Sequence, residues 1–354
     1  MNLKIFELKT YRHLAIGGLV LCAGLAAAAP TDISGAGATF PYPIYAKWAD
    51  AYKKLTGVGL NYQSIGSGGG IKQIKAKTVT FGASDMPLKA QDLNAAGLLQ
   101  FPMIIGGVVP VVNIKGIAPG QLHLDGATVA AIYLGDIAKW NDPRITRLNP
   151  KLALPGTAIA PVYRSDGSGT NFLFSDYLSK DSPKFKSTIG ANTSVQWPSG
   201  IGAKGNEGVA NMTTQTDGAI GYVEYAYAKQ NKMAYALLTN KAGSVVAPNA
   251  ESFQAAAANA DWSHANGYYL ILTDQPGVKS WPITGASFIL VYKQPSNPAA
   301  VNEALKFFAW AYKDGATMAA DLDYVPLPAP LIAQVKKTWD SQITSGGRPV
   351  WSEK

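Results

Sequence analysis

Hydrophobic positions along the chain alternate between two patterns. Short apolar runs bounded by glycine, proline and small polar residues predict buried β-strands, whereas apolar residues three or four positions apart predict helices. Such alternation favours an α/β layered architecture. The strands are expected at GLNYQSIG, TVTFGASD, MIIGGVVPVVN, AIAPVYRS, AIGYVEY and SFILVYK, and the helices at 42–56, 69–77, 126–134, 169–180, 206–216 and 298–313.

Three of the predicted helices follow a strand and a turn rich in glycine and hydroxyl residues. The turns contain Thr39, Ser67, and the pair Ser168 and Thr170. The first N–H groups of a helix lack intrahelical partners and lie at the positive end of its dipole, so they can bind an anion. Serine and threonine are also ordinary helix caps, and one such junction alone would be structural. Three junctions in one chain, one of them with Arg164, favour an oxyanion site.

The same turns do not complete a nucleotide-binding motif. Neither G-x-x-x-x-G-K-[ST] nor G-x-G-x-x-G with its later acidic residue is found. The nucleophile motif G-x-S-x-G is also absent, because Ser168 lies directly between Gly167 and Gly169. Nucleotide binding is therefore unsupported.

Residues 1–29 have the pattern of a secretory signal peptide. A basic leader that includes Lys4 and Arg12 precedes 16 apolar and small residues, Leu14–Ala29, which end in an A-x-A cleavage site. This run is shorter than the roughly 20 residues of a membrane span, so an uncleaved anchor is disfavoured. A lipoprotein would use Cys22, but the residues before it lack the small side chain expected there. The pattern predicts an exported protein.

Removal of the leader limits the chemistry of the mature chain. The single cysteine is lost, and His123 and His264 are the histidines that stay, so a disulfide, a thiol nucleophile and a metal cluster are not expected. The remaining 28 basic and 22 acidic residues give a net charge of +6, which favours anionic ligands. The lysines are scattered without a basic run, so nucleic-acid binding is not expected.

Six longer segments of the chain carry a resemblance to a known family. They are GAGATFPYPIYAKWAD, IGSGGGIKQI, FGASDMPL, FPMIIGGVVPVVN, RSDGSGTNFLF and GAIGYVEYAYAKQN. These segments closely resemble the periplasmic phosphate-binding protein of the ABC phosphate importer, in that family's order and spacing from about residue 32 to about residue 340. The resemblance implies a two-lobed periplasmic binding protein of class II, each lobe a central β-sheet flanked by helices, with phosphate in the cleft between them. It also implies a periplasmic monomer without a cofactor that delivers phosphate to an inner-membrane ABC permease and its ATPase.

The resemblance also implies a set of phosphate ligands. In the family pattern, Phe40 contributes its backbone N–H, and Asp166 is a supporting residue that pairs with Arg164. One departure is Gly68, where relatives often carry a second serine, although that position is not a ligand. The implied ligands are Thr39, Phe40, Ser67, Asp85, Arg164, Ser168, Gly169 and Thr170.

Asp85 has a distinct implied role, which is to accept the proton of phosphate. Sulfate has a similar shape but carries no proton near neutral pH. A carboxylate about 4 Å from a second negative charge is disfavoured by roughly 4 kcal/mol at an effective dielectric constant near 20. Built-in repulsion would thus exclude sulfate. Without the resemblance, Asp85 would be interpreted as a helix cap or turn residue before Met86 and Pro87.

The family pattern also divides the chain into discontinuous lobes. Lobe I is expected at 30–106 and 282–354, and lobe II at 107–281. The connecting segments IIGGVVPVVN and SWPITGASFIL are expected to form the hinge.

Aromatic residues outside the ligand set are expected to pack in the core or line the cleft. Sugar stacking would need polar clusters beside the tryptophans, and the sequence does not supply them. Two alternatives remain: a secreted phosphomonoesterase, and a binding protein for another oxyanion or a sugar. The residues assigned to packing are Trp140, Trp197 and Trp281, together with Leu305, Phe308, Trp310 and Tyr312 of the helix at 298–313, taken as the C-terminal helix.

Overall fold

Apolar runs form the strands of a mixed sheet, as the hydrophobic pattern predicts. The structure is a computed structural model that describes residues 32–352. The strands in this range are β1 (Ile33–Gly37), β2 (Leu60–Ser64), β3 (Phe81–Ser84), β4 (Leu98–Val112), β5 (His123–Leu124), β6 (Ala160–Arg164), β7 (Ile201–Ala203), β8 (Ala219–Glu224), β9 (Ala234–Tyr235), β10 (Leu237–Thr239), β11 (Val245–Val246), β12 (Thr284–Tyr292), β13 (Thr344–Ser345) and β14 (Arg348–Pro349).

Helices connect most of these strands. A short 3₁₀ turn lies at Asn266–Tyr268. The α-helices are α1 (Tyr42–Thr56), α2 (Ser67–Lys75), α3 (Ala90–Ala96), α4 (Gly126–Tyr133), α5 (Pro143–Leu148), α6 (Gly169–Asp181), α7 (Pro183–Thr188), α8 (Gly205–Gln215), α9 (Tyr225–Gln230), α10 (Ala250–Ala257), α11 (Pro298–Lys313), α12 (Ala316–Ala320) and α13 (Ala329–Gln342).

The main sheet has nine strands in the order β2-β1-β3-β12-β4-β8-β6-β7, with β9 paired to β4. The outer groups, β2-β1-β3 and β8-β6-β7, are parallel, and the antiparallel pair β12-β4 joins them. Every residue of the fifteen-residue β4 is buried. Burial on both faces explains why this strand is a continuous apolar run. The predicted α/β fold class is confirmed.

The two long central strands connect the segments that were predicted to form separate lobes. The predicted boundaries lie near each other on this pair, because Gly107 pairs with Thr284 and Gly106 with Gly285. The described residues belong to one compact unit. The lobe boundaries therefore stay a prediction.

The predicted elements agree well with those of the structure. All six predicted helices are present, with ends displaced by at most two residues, and all six predicted strand segments contain or overlap a strand. The helix at 298–313 is followed by α12 and α13, so the prediction that it is the C-terminal helix was wrong.

The predicted packing role of the aromatic residues is confirmed for most of them. Trp140 and Trp281 are fully buried, and their indole N–H groups donate to the carbonyl oxygens of Gly218 and Val108. Trp197 is partly buried against a cluster of aromatic rings. On α11, Leu305, Phe308 and Tyr312 are buried, whereas Trp310 is partly exposed and packs against Tyr52.

The predicted signal peptide at 1–29 lies outside the described residues. Within 32–352, each helix is too short or too polar to cross a lipid bilayer.

Candidate functional site

The three glycine and hydroxyl junctions converge at one place in the fold. They connect β1 to α1, β2 to α2, and β6 to α6. The residues implied as ligands are all buried there, namely Thr39, Phe40, Ser67, Asp85, Arg164, Ser168, Gly169 and Thr170.

The end of β1 shows why the first junction needs glycine. Gly37 has a φ of +146°, and a Cβ at this position would collide with the carbonyl oxygen of Ala83 on the neighbouring strand. Its own carbonyl oxygen accepts hydrogen bonds from the N–H groups of Ile65 and Gly66 in the second junction. The close approach of backbone to backbone thus holds the first two junctions side by side.

Ser67 lies at the centre of the converging turns. Its Oγ accepts hydrogen bonds from the N–H of Asp85 (3.1 Å) and from the N–H of Gly169 (3.0 Å). A hydroxyl oxygen has two lone pairs, so the remaining hydrogen of Ser67 must be donated. Asp85 Oδ2 lies 3.5 Å from Ser67 Oγ. Ser67 therefore joins the two predicted lobe segments and presents a donor.

Asp85 follows β3 and is 1% exposed. Burial raises the pKa of its carboxyl group from 3.8 to about 7, against smaller lowering effects of the Ser287 hydroxyl, the Arg164 charge and the Ser67 hydroxyl. No hydrogen bond of ordinary geometry joins Ser287 to Asp85, and Asp85 Oδ1 has no hydrogen-bond partner within 32–352. One oxygen of this carboxyl group is thus left to interact with a ligand.

Arg164 ends β6 and pairs with Asp166 two residues later. Its Nε donates to Asp166 Oδ1 (2.7 Å) and its Nη2 to Asp166 Oδ2 (2.6 Å). The N–H of Gly205 also donates to Asp166 Oδ1 (3.1 Å). Burial acts to raise the pKa of Asp166, but the Arg164 and Gly205 hydrogen bonds outweigh it and the pKa is lowered. The pair fixes the guanidinium plane, and the buried Nη1 has no partner among the described side chains.

The start of α6 supplies further donors. Ser168 caps this helix, and its Oγ accepts the N–H of Asn171 (3.0 Å). Thr170 is fully buried in the first turn. The space here is tight, because a Cβ on Gly169 would lie 2.6 Å from both Asp85 Oδ2 and Ser67 Oγ.

Gly68 allows two turns to pack closely. Its N–H donates to the carbonyl oxygen of Gly167 (2.8 Å), and a Cβ on Gly68 would lie 3.1 Å from the Cα of Gly167. The glycine at this position therefore fits the contact between the second and third junctions.

Asn206 is a buried member of the site that the sequence reasoning missed. Its Nδ2 donates to Thr39 Oγ1 (2.6 Å) and to Thr170 Oγ1 (3.1 Å), and its Oδ1 accepts the N–H of Glu224 (2.9 Å). The sequence contains a signal for Asn206. The segment repeats the strand, glycine turn and helix order of the other junctions, with β7, Gly205 (φ +73°) and α8. Here an asparagine takes the position of the hydroxyl residue.

The two histidines make contacts with other residues. His123 Nε2 bonds Thr239 Oγ1 (2.7 Å), and His264 pairs with the exposed Asp261. The described residues contain no group of three or more His, Cys, Asp or Glu side chains placed to hold a metal ion.

The site thus combines several hydrogen-bond donors with one buried carboxyl group that has an unpartnered oxygen. The fold around it is that of a periplasmic binding protein: a profile described as PBP superfamily domain matches residues 25–314. Among solved structures, the phosphate binding protein of Stenotrophomonas maltophilia has a TM-score of 0.69 and 20% identity, covering 90% of this chain and 97% of that one.

Two curated relatives are much more similar in sequence. "Phosphate-binding protein PstS" of Pasteurella multocida (strain Pm70) is 56% identical over 320 residues, which cover 90% of this chain and 93% of the relative. The protein of the same name from Haemophilus influenzae is 52% identical over 335 residues, 95% of this chain and 98% of the relative. The chain therefore belongs to the phosphate-binding protein family of the PBP superfamily.

Proposed function

We propose that the chain binds inorganic phosphate without turning it over and delivers it to an inner-membrane ABC permease with its ATPase. The names of the relatives support phosphate as the ligand. The predicted leader and the family support a periplasmic monomer. The observation that carries the proposal is the buried carboxyl group of Asp85, with its unpartnered Oδ1, beside buried hydroxyl groups and the unpartnered Nη1 of Arg164.

The proposed ligands are the eight buried residues implied by the sequence, with Asp166 in support. Burying an anion is costly unless its oxygen atoms are hydrogen-bonded. The hydroxyl oxygens of Ser67 and Ser168 accept backbone N–H groups, which leaves their hydrogens for donation. The Ser67 hydrogen faces Asp85 Oδ2 at a long distance of 3.5 Å and can turn to the ligand. Arg164 adds a charge-assisted donor at Nη1, while Asp166 neutralises most of its charge.

Asp85 accounts for the proposed discrimination against sulfate. Its free Oδ1 can share a proton with phosphate, which still carries one near neutral pH. Sulfate brings no proton, so an ionised Asp85 repels it. A site for a fully ionised anion would gain nothing from such a carboxyl group, and this favours phosphate over sulfate as the ligand.

The contacts between residues 30–106 and 107–281 support a cleft that closes over the ligand. Ser67 with Gly169, and Gly68 with Gly167, bond across the two segments, and β4 and β12 connect them. Closure about two connecting strands is a common hinge motion.

Calorimetry with phosphate, arsenate, sulfate and a phosphonate tests the proposal. We expect one phosphate per chain and no measurable heat from sulfate at the same concentration. Equal binding of sulfate would overturn the proposal. A chromogenic phosphate ester should stay intact, and its hydrolysis by the purified chain would favour a secreted phosphomonoesterase instead.

A further inference from the structure

Asn206 is a buried amide between the two predicted lobes, and nothing in the proposed ligand set accounts for it. It is 0% exposed and lies in the first turn of α8. The residue contacts Thr39, which precedes α1, and Thr170 at the start of α6, so it joins parts of the chain that are 167 and 36 positions away.

The orientation of the Asn206 amide is fixed by its surroundings. The backbone N–H of Glu224 can only donate, so the group 2.9 Å from it must be the amide oxygen. The NH₂ group must then face the two threonine hydroxyls, and its two hydrogens are both used there.

This orientation decides which way the threonine hydroxyls can bond. Thr39 Oγ1 accepts from Asn206 Nδ2 (2.6 Å) and also from the Asn206 backbone N–H (3.2 Å), which occupies both lone pairs. Its hydrogen is left for donation. Thr170 Oγ1 accepts the second amide hydrogen and is directed in the same sense.

We propose that Asn206 is a positioning residue that leaves the Thr39 hydroxyl able only to donate, and turns the Thr170 hydroxyl in the same direction, toward the bound anion. The inference rests on the proposed function, because it assigns a role toward the same phosphate. Asn206 acts through the threonines and does not itself contact the ligand. Thr39 and Asn206 come from different predicted lobes. The orientation of the Thr39 hydroxyl therefore depends on closure of the two lobes.

Replacement of Asn206 by alanine and by aspartate separates this role from simple packing. Alanine removes the donor but leaves both hydroxyls free to bond phosphate, so we expect about a tenfold loss of affinity. Aspartate keeps the shape, but its carboxylate accepts the hydroxyl hydrogens and turns them away from the anion. Asn206→Asp should therefore bind phosphate at least about tenfold more weakly than Asn206→Ala. A purely structural role gives the opposite order, because aspartate fills the site and alanine does not.

A Thr39→Val background distinguishes the hydroxyl effect from the added charge. Valine keeps the shape of threonine without the hydroxyl group. If Asn206 acts through Thr39, each Asn206 substitution should cost less affinity in this background. The pair Asn206→Ala and Thr39→Val already measures this coupling, so the outcome does not depend on the folding of the aspartate variant.

Asn149→Asp is the matched control. Asn149 is another buried amide, and its Nδ2 donates to the carbonyl oxygens of His123 and Ile145. This change should lower the melting temperature and leave phosphate affinity unaltered. All affinities are measured by calorimetry on the full mature chain, with thermal unfolding of each variant in parallel.

The inference is overturned if Asn206→Asp binds phosphate as well as Asn206→Ala, or if the Asn206 effects are unchanged in the Thr39→Val background. Failure of the unaltered chain to bind phosphate would instead overturn the proposed function.

Discussion

Asp85 combines two properties that oppose each other: its side chain is buried, and yet its carboxyl group keeps one oxygen without a hydrogen-bond partner among residues 32–352. Burial favours the protonated form, whereas Arg164 and the nearby hydroxyls favour the ionised form. The result is a pKa near 7, close to the range in which phosphate itself exchanges a proton. A group of this kind can respond to whether a ligand carries a proton.

The first prediction concerns sulfate binding by Asp85→Asn. At pH 9, about two units above the pKa of Asp85, the amide removes a carboxylate charge that repels sulfate. Sulfate affinity should then rise about a hundredfold, and phosphate affinity should change less. Calorimetry with both anions measures this. Asp181→Asn is the control, because Asp181 also has a carboxyl group with a raised pKa, but it is exposed and lies on α6 beside Asp125 and Asp274. Complete exclusion of sulfate by Asp85→Asn would disprove the repulsion.

The second prediction concerns stability without phosphate. The folded pKa of about 7 exceeds the unfolded value of 3.8, so the folded state binds more protons between those values and Asp85 destabilises it as the pH rises. The free energy of unfolding of Asp85→Asn should match that of the unaltered chain at pH 4. It should exceed it at pH 8 by at most about 4 kcal/mol.

Urea unfolding at the two pH values measures that difference. A difference that is the same at pH 4 and pH 8 would mean that Asp85 does not titrate with a raised pKa.

Among the elements, the start of α6 is where close packing and the proposed ligand donors coincide. Gly169→Ala adds a methyl group that would lie 2.6 Å from Ser67 Oγ and from Asp85 Oδ2. Alanine is acceptable in the first turn of a helix, so the melting temperature should hardly change. The overlap should cost about 1–3 kcal/mol when the site closes, which lowers phosphate affinity about tenfold or more.

Gly208→Ala in α8 is the control for that third prediction. A Cβ there meets Ala203 at an ordinary distance of 3.6 Å, so affinity should stay the same. Calorimetry measures the phosphate affinity of both variants. An unaltered affinity for Gly169→Ala would show that the close contact of Gly169 with Ser67 and Asp85 is not needed for binding.

The elements also show how far hydrophobic pattern predicts the fold. The six predicted helices combine apolar periodicity with clear ends such as Gly57, which has a φ of +79° and closes α1. Short elements such as α5, α7 and β7 were missed, because six residues or fewer give little periodicity and take their structure from packing against neighbours. The start of β4 was also missed, although residues 98–102 continue its buried run.

The site was predictable where a local motif marks it, and not where it depends on distant contacts. Thr39, Ser67 and Arg164 lie in or next to glycine-rich turns, which indicate an anion site in the sequence. Asn206 follows a similar glycine turn, but its role depends on the contact of its amide with Thr39, which lies 167 positions away. The raised pKa of Asp85 likewise comes from burial by the complete fold.

For the molecule as a whole, the contacts between the predicted lobes give the fourth prediction. The hydroxyl of Tyr324, from the segment after β12, lies 2.7 Å from Phe40 O within predicted lobe I and 2.8 Å from Glu224 Oε2 in predicted lobe II. If the lobes separate without ligand, the contact with Glu224 is lost. Small-angle X-ray scattering should show a smaller radius of gyration with phosphate than without it, and no change with sulfate. Identical scattering curves in all three conditions would contradict hinge closure.

The most direct test of the central claim is calorimetric titration of the mature chain with phosphate in the presence of excess sulfate at about pH 9, where Asp85 is ionised and phosphate still carries a proton. We predict one phosphate bound per chain with an affinity that the sulfate does not reduce. Loss of phosphate binding in excess sulfate would contradict the claim that the site selects a protonated oxyanion.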